Sequence, residues 1–237
     1  MTTMQDDEAR KSFGESLDEI KSDVIRLAAL VSEQIGRGTE ALLDADLAKA
    51  EEVIGSSGPQ ATLAHSIESR TYELFARQQP IAVDLRTLLT VLRALQELEL
   101  AGNLMVSIAK AARRLYPREL PPKVRGILEQ MGAQASVQMH LAIDAFADRD
   151  NALALSLPDI DDVSDDLQKE LFRSIFVAFA PDEAGLQQAV QIALVGRFYE
   201  RVADHAVQIG RWVNFMVTGE LPSNEIAEDS DSANGAA

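Results

Sequence analysis

Glu200 and Asp204 stand four residues apart in a run of helical character, Tyr199-Glu200-Arg201-Val202-Ala203-Asp204-His205. At that spacing two side chains share one face of a helix, so two carboxylates stand side by side. Phe198 and Val202 point roughly 160° away from them at about 100° per residue. The acids are therefore expected outside the apolar seam of any bundle the helix joins. A second group, Asp159, Asp161, Asp162, Asp165 and Asp166, crowds the start of the preceding helical segment. If the two segments pack antiparallel, the first turn of one lies near the later turns of the other, and Asp162 or Asp165 approaches Glu200 and Asp204. Oxygen ligands without cysteine and with little histidine suit a hard cation such as iron(III), manganese, magnesium or calcium.

A plainer reading exists for each group. Like charges at this helical spacing cost only a few tenths of a kcal/mol, and acids in a first turn complement the helix macrodipole. Five aspartates in eight residues nevertheless exceed what capping needs. Other chemistry is poorly represented. His65, His140 and His205 lack the spacing of a zinc or carboxylate di-iron site. There is no Gly-rich phosphate loop and no Gly-x-Ser-x-Gly. The chain has no cysteine, hence no disulfide or thiolate. Trp212 reads as a core or interface residue.

The elements that must hold these acids follow from hydrophobic periodicity. The pattern predicts helices over 16–44, with Leu17, Ile20, Val24, Leu27, Val31 and Ile35 as its stripe, then 47–54, 61–77 and 83–115. Leu85, Leu88, Leu92, Leu95 and Leu98 form the expected buried stripe of the last of these. Tyr116-Pro117 and Pro121-Pro122 separate the halves. The plan then repeats with helices over 122–148, 152–157, 159–180 and 182–218. Glu99-Leu100-Ala101-Gly102-Asn103-Leu104 lines up with Glu200 to His205 at an offset of 101, and Ala41 to Asp46 with Ala145 to Asp150 at 104. The fold class is accordingly all-α, a tandem repeat of two three-helix bundles. Residues 13–116 form the first bundle and 122–220 the second, with a flexible stretch over 1–12 and a disordered acidic tail over 223–237. Where the second half has Asp161-Asp162-Val163-Ser164-Asp165 the first has Ser57-Gly58-Pro59-Gln60-Ala61, and Asn103 answers Asp204. Any cation site in the first half is expected to be weak or absent.

The chain carries 22 basic and 38 acidic residues, a formal charge of −16. Without Glu225, Glu228, Asp229 and Asp231 of the tail the remainder stands at −12. Such a surface repels phosphate backbones, which argues against nucleic acid and for basic protein partners or cations. The start lacks the pattern of a signal peptide and no apolar run reaches a membrane span. A soluble cytoplasmic protein is expected, meeting membranes only through its partners.

Tyr199-Glu200-Arg201-Val202-Ala203-Asp204-His205-Ala206-Val207-Gln208-Ile209 closely resembles the signature of the PhoU family. The stretches Glu40 to Leu47, Gln78 to Arg86 and Ala109-Lys110 match as well, in the right order, over about residues 13–220. The resemblance implies a non-enzymatic negative regulator of phosphate uptake and phosphate-starvation signalling. Such a protein couples a phosphate ABC transporter ATPase to a sensor histidine kinase, and a homodimer is expected. It also implies metal binding through acidic motifs, here at Asp161, Asp165, Glu200 and Asp204 with the adjacent Asp162. Iron, manganese or magnesium would be the cation. Leu100 and Asn103 depart from the family pattern, which singles out the second repeat for the metal. The alternatives are a metal-dependent enzyme and a metal-sensing or storage bundle.

Overall fold

The computed structural model describes residues 2–78, 80–179 and 182–222. Seven helices follow in order: α1 Thr2–Leu43, α2 Leu47–Gly55, α3 Ser57–Gln78, α4 Val83–Leu115, α5 Pro122–Asp148, α6 Asn151–Ala178 and α7 Glu183–Thr218. No strand occurs among the described residues. None of these helices is long and apolar enough to cross a membrane.

The repeat is built on a shared turn. After α1, Ala45 takes a positive φ of 52°, and after α5, Arg149 takes 55°. In each turn the next residue's N–H reaches back five positions, Asp46 to Ala41 and Asp150 to Ala145, both at 3.0 Å. This closure satisfies carbonyls that a helix end leaves open. Asp46 then caps α2 by accepting from the N–H groups of Ala48 and Lys49, and Asp150 caps α6 by accepting from Leu153. Each such cap is worth about 1 kcal/mol. Asp182 caps α7 in the same way through Gly185.

The first repeat comprises α1, α2 with α3, and α4; the second comprises α5, α6 and α7. The two are not separate bodies. Helices α1, α4, α7 and α5 pack in a ring, each on its two neighbours, with α2 and α3 outside α1 and α4 and with α6 outside α5 and α7. One continuous core runs through both, including Val24 and Ile35 of α1, Leu98 and Ile108 of α4, Leu128 of α5 and Ile209 of α7. Helices α4 and α7 are antiparallel along their whole length. Arg86 donates to the carbonyl of Met216, Thr90 to that of Trp212 and Arg118 to that of Ala184. The hydroxyl of Tyr199, fully buried, meets Thr39 Oγ1 across the repeats at 2.8 Å. Thr39 spends its own proton on the Ile35 carbonyl, so Tyr199 donates.

Several features differ from the sequence-based expectation, among them the start of α3, which lies at Ser57 rather than at residue 61. Helix α1 begins at Thr2, so residues 2–12 extend a helix where a flexible stretch was expected. Met, Gln, Glu, Ala, Arg and Lys there are good helix formers, and lengthening a packed helix costs little. The helices expected over 152–157 and 159–180 are one, α6, with Pro158 inside it. Leu157 and Leu171, both fully buried on the packed side, hold the helix together across the proline. Leu85 is exposed and Leu92 only partly buried, because the buried stripe of α4 passes through Leu88, Val91, Leu95 and Leu98. The tail over 223–237 lies outside the described residues.

Two close approaches set α6 against α7. A Cβ at Gly210 would lie 2.5 Å from Leu157 Cδ1 and 2.9 Å from the Ala154 carbonyl oxygen. That carbonyl is the one Pro158 cannot engage, since proline has no N–H. Fourteen residues earlier, a Cβ at Gly196 would lie 2.4 Å from Leu171 Cδ2. Bare glycine at both points fixes the antiparallel register, and the acids lie between them.

Candidate functional site

The register brings Asp161 and Asp165 of α6 opposite Glu200 and Asp204 of α7. Glu200 is not outward-facing as its helical phase suggested; it is only 7% exposed. The reason is α6, which covers the flank of α7 that a helix considered alone presents to water. Glu200 Oε1 accepts from Arg197, one turn earlier, while its Oε2 is buried without a partner. Asp161 and Asp204 are half-buried, and Asp165 lies at the exposed rim.

Three of these carboxyls are pushed above their ordinary values, in each case first by burial. For Asp161 the hydrogen bond from Gln138 opposes the shift, while the charges of Asp204 and Asp165 add to it. Glu200 is raised further by Asp204, offset by Arg197. At Asp204 the nearby Arg197 and His205 pull down and Asp165 pushes up. Four acids thus sense one another across two helices. Asp162 is exposed and falls on the side of α6 that carries Lys169, whose ammonium is raised first by the hydrogen bond to Asp166, then by the charges of Asp165 and Asp162. Asp166 pairs with Lys169 at 2.9 Å.

Two supporting residues escaped sequence reasoning. Gln138 of α5 is fully buried and donates to Asp161 Oδ1 at 3.0 Å, while its own oxygen accepts from Ser164 at 3.3 Å. Its signal was a glutamine interrupting the apolar stripe of α5, matched by Gln34 at the 104-residue offset. Arg197, which partly neutralises the group, gave no signal beyond its charge. His205 faces the other way, into the α4–α7 contact, with Nδ1 2.7 Å from Glu97 Oε2.

In the first repeat the corresponding place is nearly neutral. Glu99 and Asn103 line a cavity of ≈ 60 Å³ with Ser57, Gln60 and Gly102. Gln34 donates to Ser56 Oγ at 2.8 Å and to the Val53 carbonyl at 3.2 Å, where Gln138 holds an aspartate. Glu99 is the one acid there, raised by burial and by the charge of Glu68.

The second-repeat group fits a hard cation in donor type, and Glu200 Oε2 is a buried acceptor without a donor. Asp161, Asp165, Glu200 and Asp204 would hold it. Their side chains do not yet converge: among the described residues no three His, Cys, Asp or Glu groups come together closely enough to hold a metal ion. Binding requires the carboxylates to turn inward.

The paired bundles have counterparts among known proteins. The sequence profile of the PhoU domain matches twice, over residues 24–112 and 128–213. The chain belongs to the PhoU domain family. The phosphate-specific transport system accessory protein PhoU homolog 1 of Mycobacterium tuberculosis is 36% identical over 217 residues, 91% of this chain and 97% of that one. PhoU homolog 2 of the same organism is 35% identical over 90% of this chain and 100% of its own length. The crystal structure of PhoU from Pseudomonas aeruginosa superposes with a TM-score of 0.83 at 27% identity, covering 88% of this chain and all of the other. That of the phosphate transport system regulatory protein PhoU from Streptococcus pneumoniae gives 0.81 at 26% identity over 89% and 99%.

Proposed function

We propose that this PhoU-family chain is a non-enzymatic cytoplasmic regulator that restrains phosphate uptake and phosphate-starvation signalling. It would do so by bridging the ATPase of a phosphate ABC transporter and a sensor histidine kinase. The observation that carries this reading is likeness over nearly the full length to relatives named as accessory proteins of phosphate-specific transport. A hard cation at Asp161, Asp165, Glu200 and Asp204 belongs to the same reading, because it would relieve the burial and mutual repulsion of those carboxylates. A homodimer belongs to it as well.

The test is recovery of partners on a tagged chain from cells grown at high and at low phosphate. A transporter ATPase or a kinase should be retained, and more weakly as salt rises, since exposed charges are screened beyond about 8 Å at roughly 0.15 M. Deletion of the gene should derepress phosphate-starvation genes in phosphate-rich medium. No partner at low salt, or metal-dependent hydrolysis that Glu200→Gln abolishes, would overturn the proposal.

A further inference from the structure

A large cleft lies away from the acids, where the end of α4 and the turn after it face the start of α7. It encloses ≈ 900 Å³ and is lined by Arg114, Tyr116 and Arg118 on one side and by Leu186 and Val190 on the other. Leu186 and Val190 are 58% and 55% exposed, and Leu194 continues the same line one turn further at 42%. Residues four apart share a helix face, so Leu186, Val190 and Leu194 form an apolar ridge on α7. On α4, Lys110 and Arg114 are likewise one turn apart and both exposed, and Arg118 follows in the turn. Arg114 bonds only to the amide oxygen of Gln191 and Arg118 to the carbonyl of Ala184. Among the described ion pairs neither has a carboxylate partner, and a guanidinium offers five donors.

The pseudo-symmetric end of the α4–α7 pair is closed. There Trp212 packs edge-on to Phe215 and lies under Arg93, whose guanidinium carbon is 5.0 Å from the ring centre. At the 101-residue offset Trp212 is answered by Ala111 and Phe215 by Arg114. Small and basic residues therefore stand where aromatic residues fill the other end.

Charge says what fits. The chain as a whole carries −16, yet α4 has five basic residues against three acidic ones. Glu183 is the one acid in the cleft lining. A basic ridge beside an apolar ridge matches an amphipathic helix whose apolar face is edged by carboxylates. A second copy meeting this cleft would bring another acidic chain, but its own cleft would place arginine opposite arginine in a two-fold pairing.

We infer that the cleft between Arg114–Arg118 and Leu186–Val190–Leu194 docks an acidic amphipathic helix of a protein partner. This rests on the adaptor reading for its purpose, and it names the partner's chemistry. The probe is a fluorescein-labelled helical peptide of about four turns with leucines at i, i+4 and i+8 and glutamates along one flank, titrated with the full chain. Fluorescence anisotropy should show saturable binding. The double variant Arg114→Glu/Arg118→Glu should weaken it by about tenfold or more, as should Leu186→Gln/Val190→Gln. A peptide with lysine in place of glutamate should bind at least about tenfold more weakly than the acidic one. All four residues are at the surface, so helical content and melting temperature should stay at the wild-type values. Equal binding of the acidic and basic peptides, no binding of either, or binding unaffected by both double variants overturns the inference. So does a wild-type dimer, seen by sedimentation, that Leu186→Gln/Val190→Gln dissociates, since the occupant is then a second copy. Peptide binding needs no transporter or kinase, so its failure leaves partner recovery as the separate test of the adaptor reading.

Discussion

Replacing Gly210 with alanine tests the contact that sets α6 on α7, and so the placement of the acids. The added Cβ would meet Leu157 Cδ1 at 2.5 Å and the Ala154 carbonyl oxygen at 2.9 Å. The leucine methyl can rotate, but a carbonyl of the helix backbone cannot, so the helices must part by several tenths of an ångström. Overpacking of this kind costs about 1–3 kcal/mol. Alanine in a helix interior returns up to about 1 kcal/mol relative to glycine. Gly36 supplies the reference, since it sits within α1, is exposed, and has nothing within 4 Å of an added Cβ. Gly36→Ala receives the propensity gain alone, so the gap between the two variants is the overpacking cost itself. At about 2–4 °C per kcal/mol for a chain of this size, a cost near 2 kcal/mol separates their melting temperatures by roughly 4–8 °C. Gly196→Ala should fall between them, because the nearest atom there is only the end of the Leu171 side chain. Urea unfolding followed by far-ultraviolet circular dichroism reads the same order as shifts of the midpoint at constant slope. If Gly210→Ala proves as stable as Gly36→Ala, the close approach is not there and the register of the acids loses its support.

Three further outcomes are expected. In metal-reconstituted protein, Asp204→Asn should sharply lower bound cation while Asn103→Ala changes it little; elemental analysis showing equal loss would make the repeats equivalent. Asp161, Glu200 and Asp204 are raised from 3.8, 4.5 and 3.8, chiefly by burial, so their contribution to metal-free stability is full below the unfolded values and is lost as pH rises through the folded ones. Glu200→Gln should therefore gain on wild type as pH rises from about 4 to about 7, and a gain that grows on acidification instead would contradict the burial described. Tyr199→Phe removes one buried hydrogen bond while Thr39 keeps Ile35, so urea midpoints should report a loss of about 1 kcal/mol; a loss above about 3 kcal/mol would mean that Thr39 does not remain satisfied.

The helices were legible because their cause is local. Periodicity, caps and proline breaks specify α4, α5 and α7 closely, and the repeated Asp46 and Asp150 turns appeared in the sequence as one motif. What was not legible depends on a neighbouring element. The phase of Glu200 on α7 says which way it points, but not that α6 covers that flank. Pro158 reads as a break from propensity alone, and the burial of Leu157 and Leu171 on either side keeps the helix whole. The separation of Asp162 from Asp161 and Asp165 follows from helical phase on α6, yet only the register set by Gly196 and Gly210 says which phase faces α7.

The first repeat serves as an internal control on the second. Both bury a glutamine at the same turn of the same helix, and in both the amide faces the outer helix. The Gln34 amide N–H groups reach Ser56 and a backbone carbonyl while its Oε1 stays buried without a partner, so this fold closes around neutral groups at that place. Gln138 holds Asp161 instead, beside two other carboxyls that burial and mutual repulsion push toward protonation. The acids are thus not needed to complete the packing, and in the absence of a counter-charge they oppose it. Arg197 answers one oxygen of Glu200 and leaves the other buried and unpaired. A group that folding does not require and that costs stability when ionised is what the proposed cation would account for. The same comparison locates the second difference between the repeats at the start of α7, where Arg114 of α4 stands in the place that Phe215 takes at the other end and a cleft opens. Both departures from symmetry replace neutral or apolar residues with charged ones, and both lie on α7 or across from it.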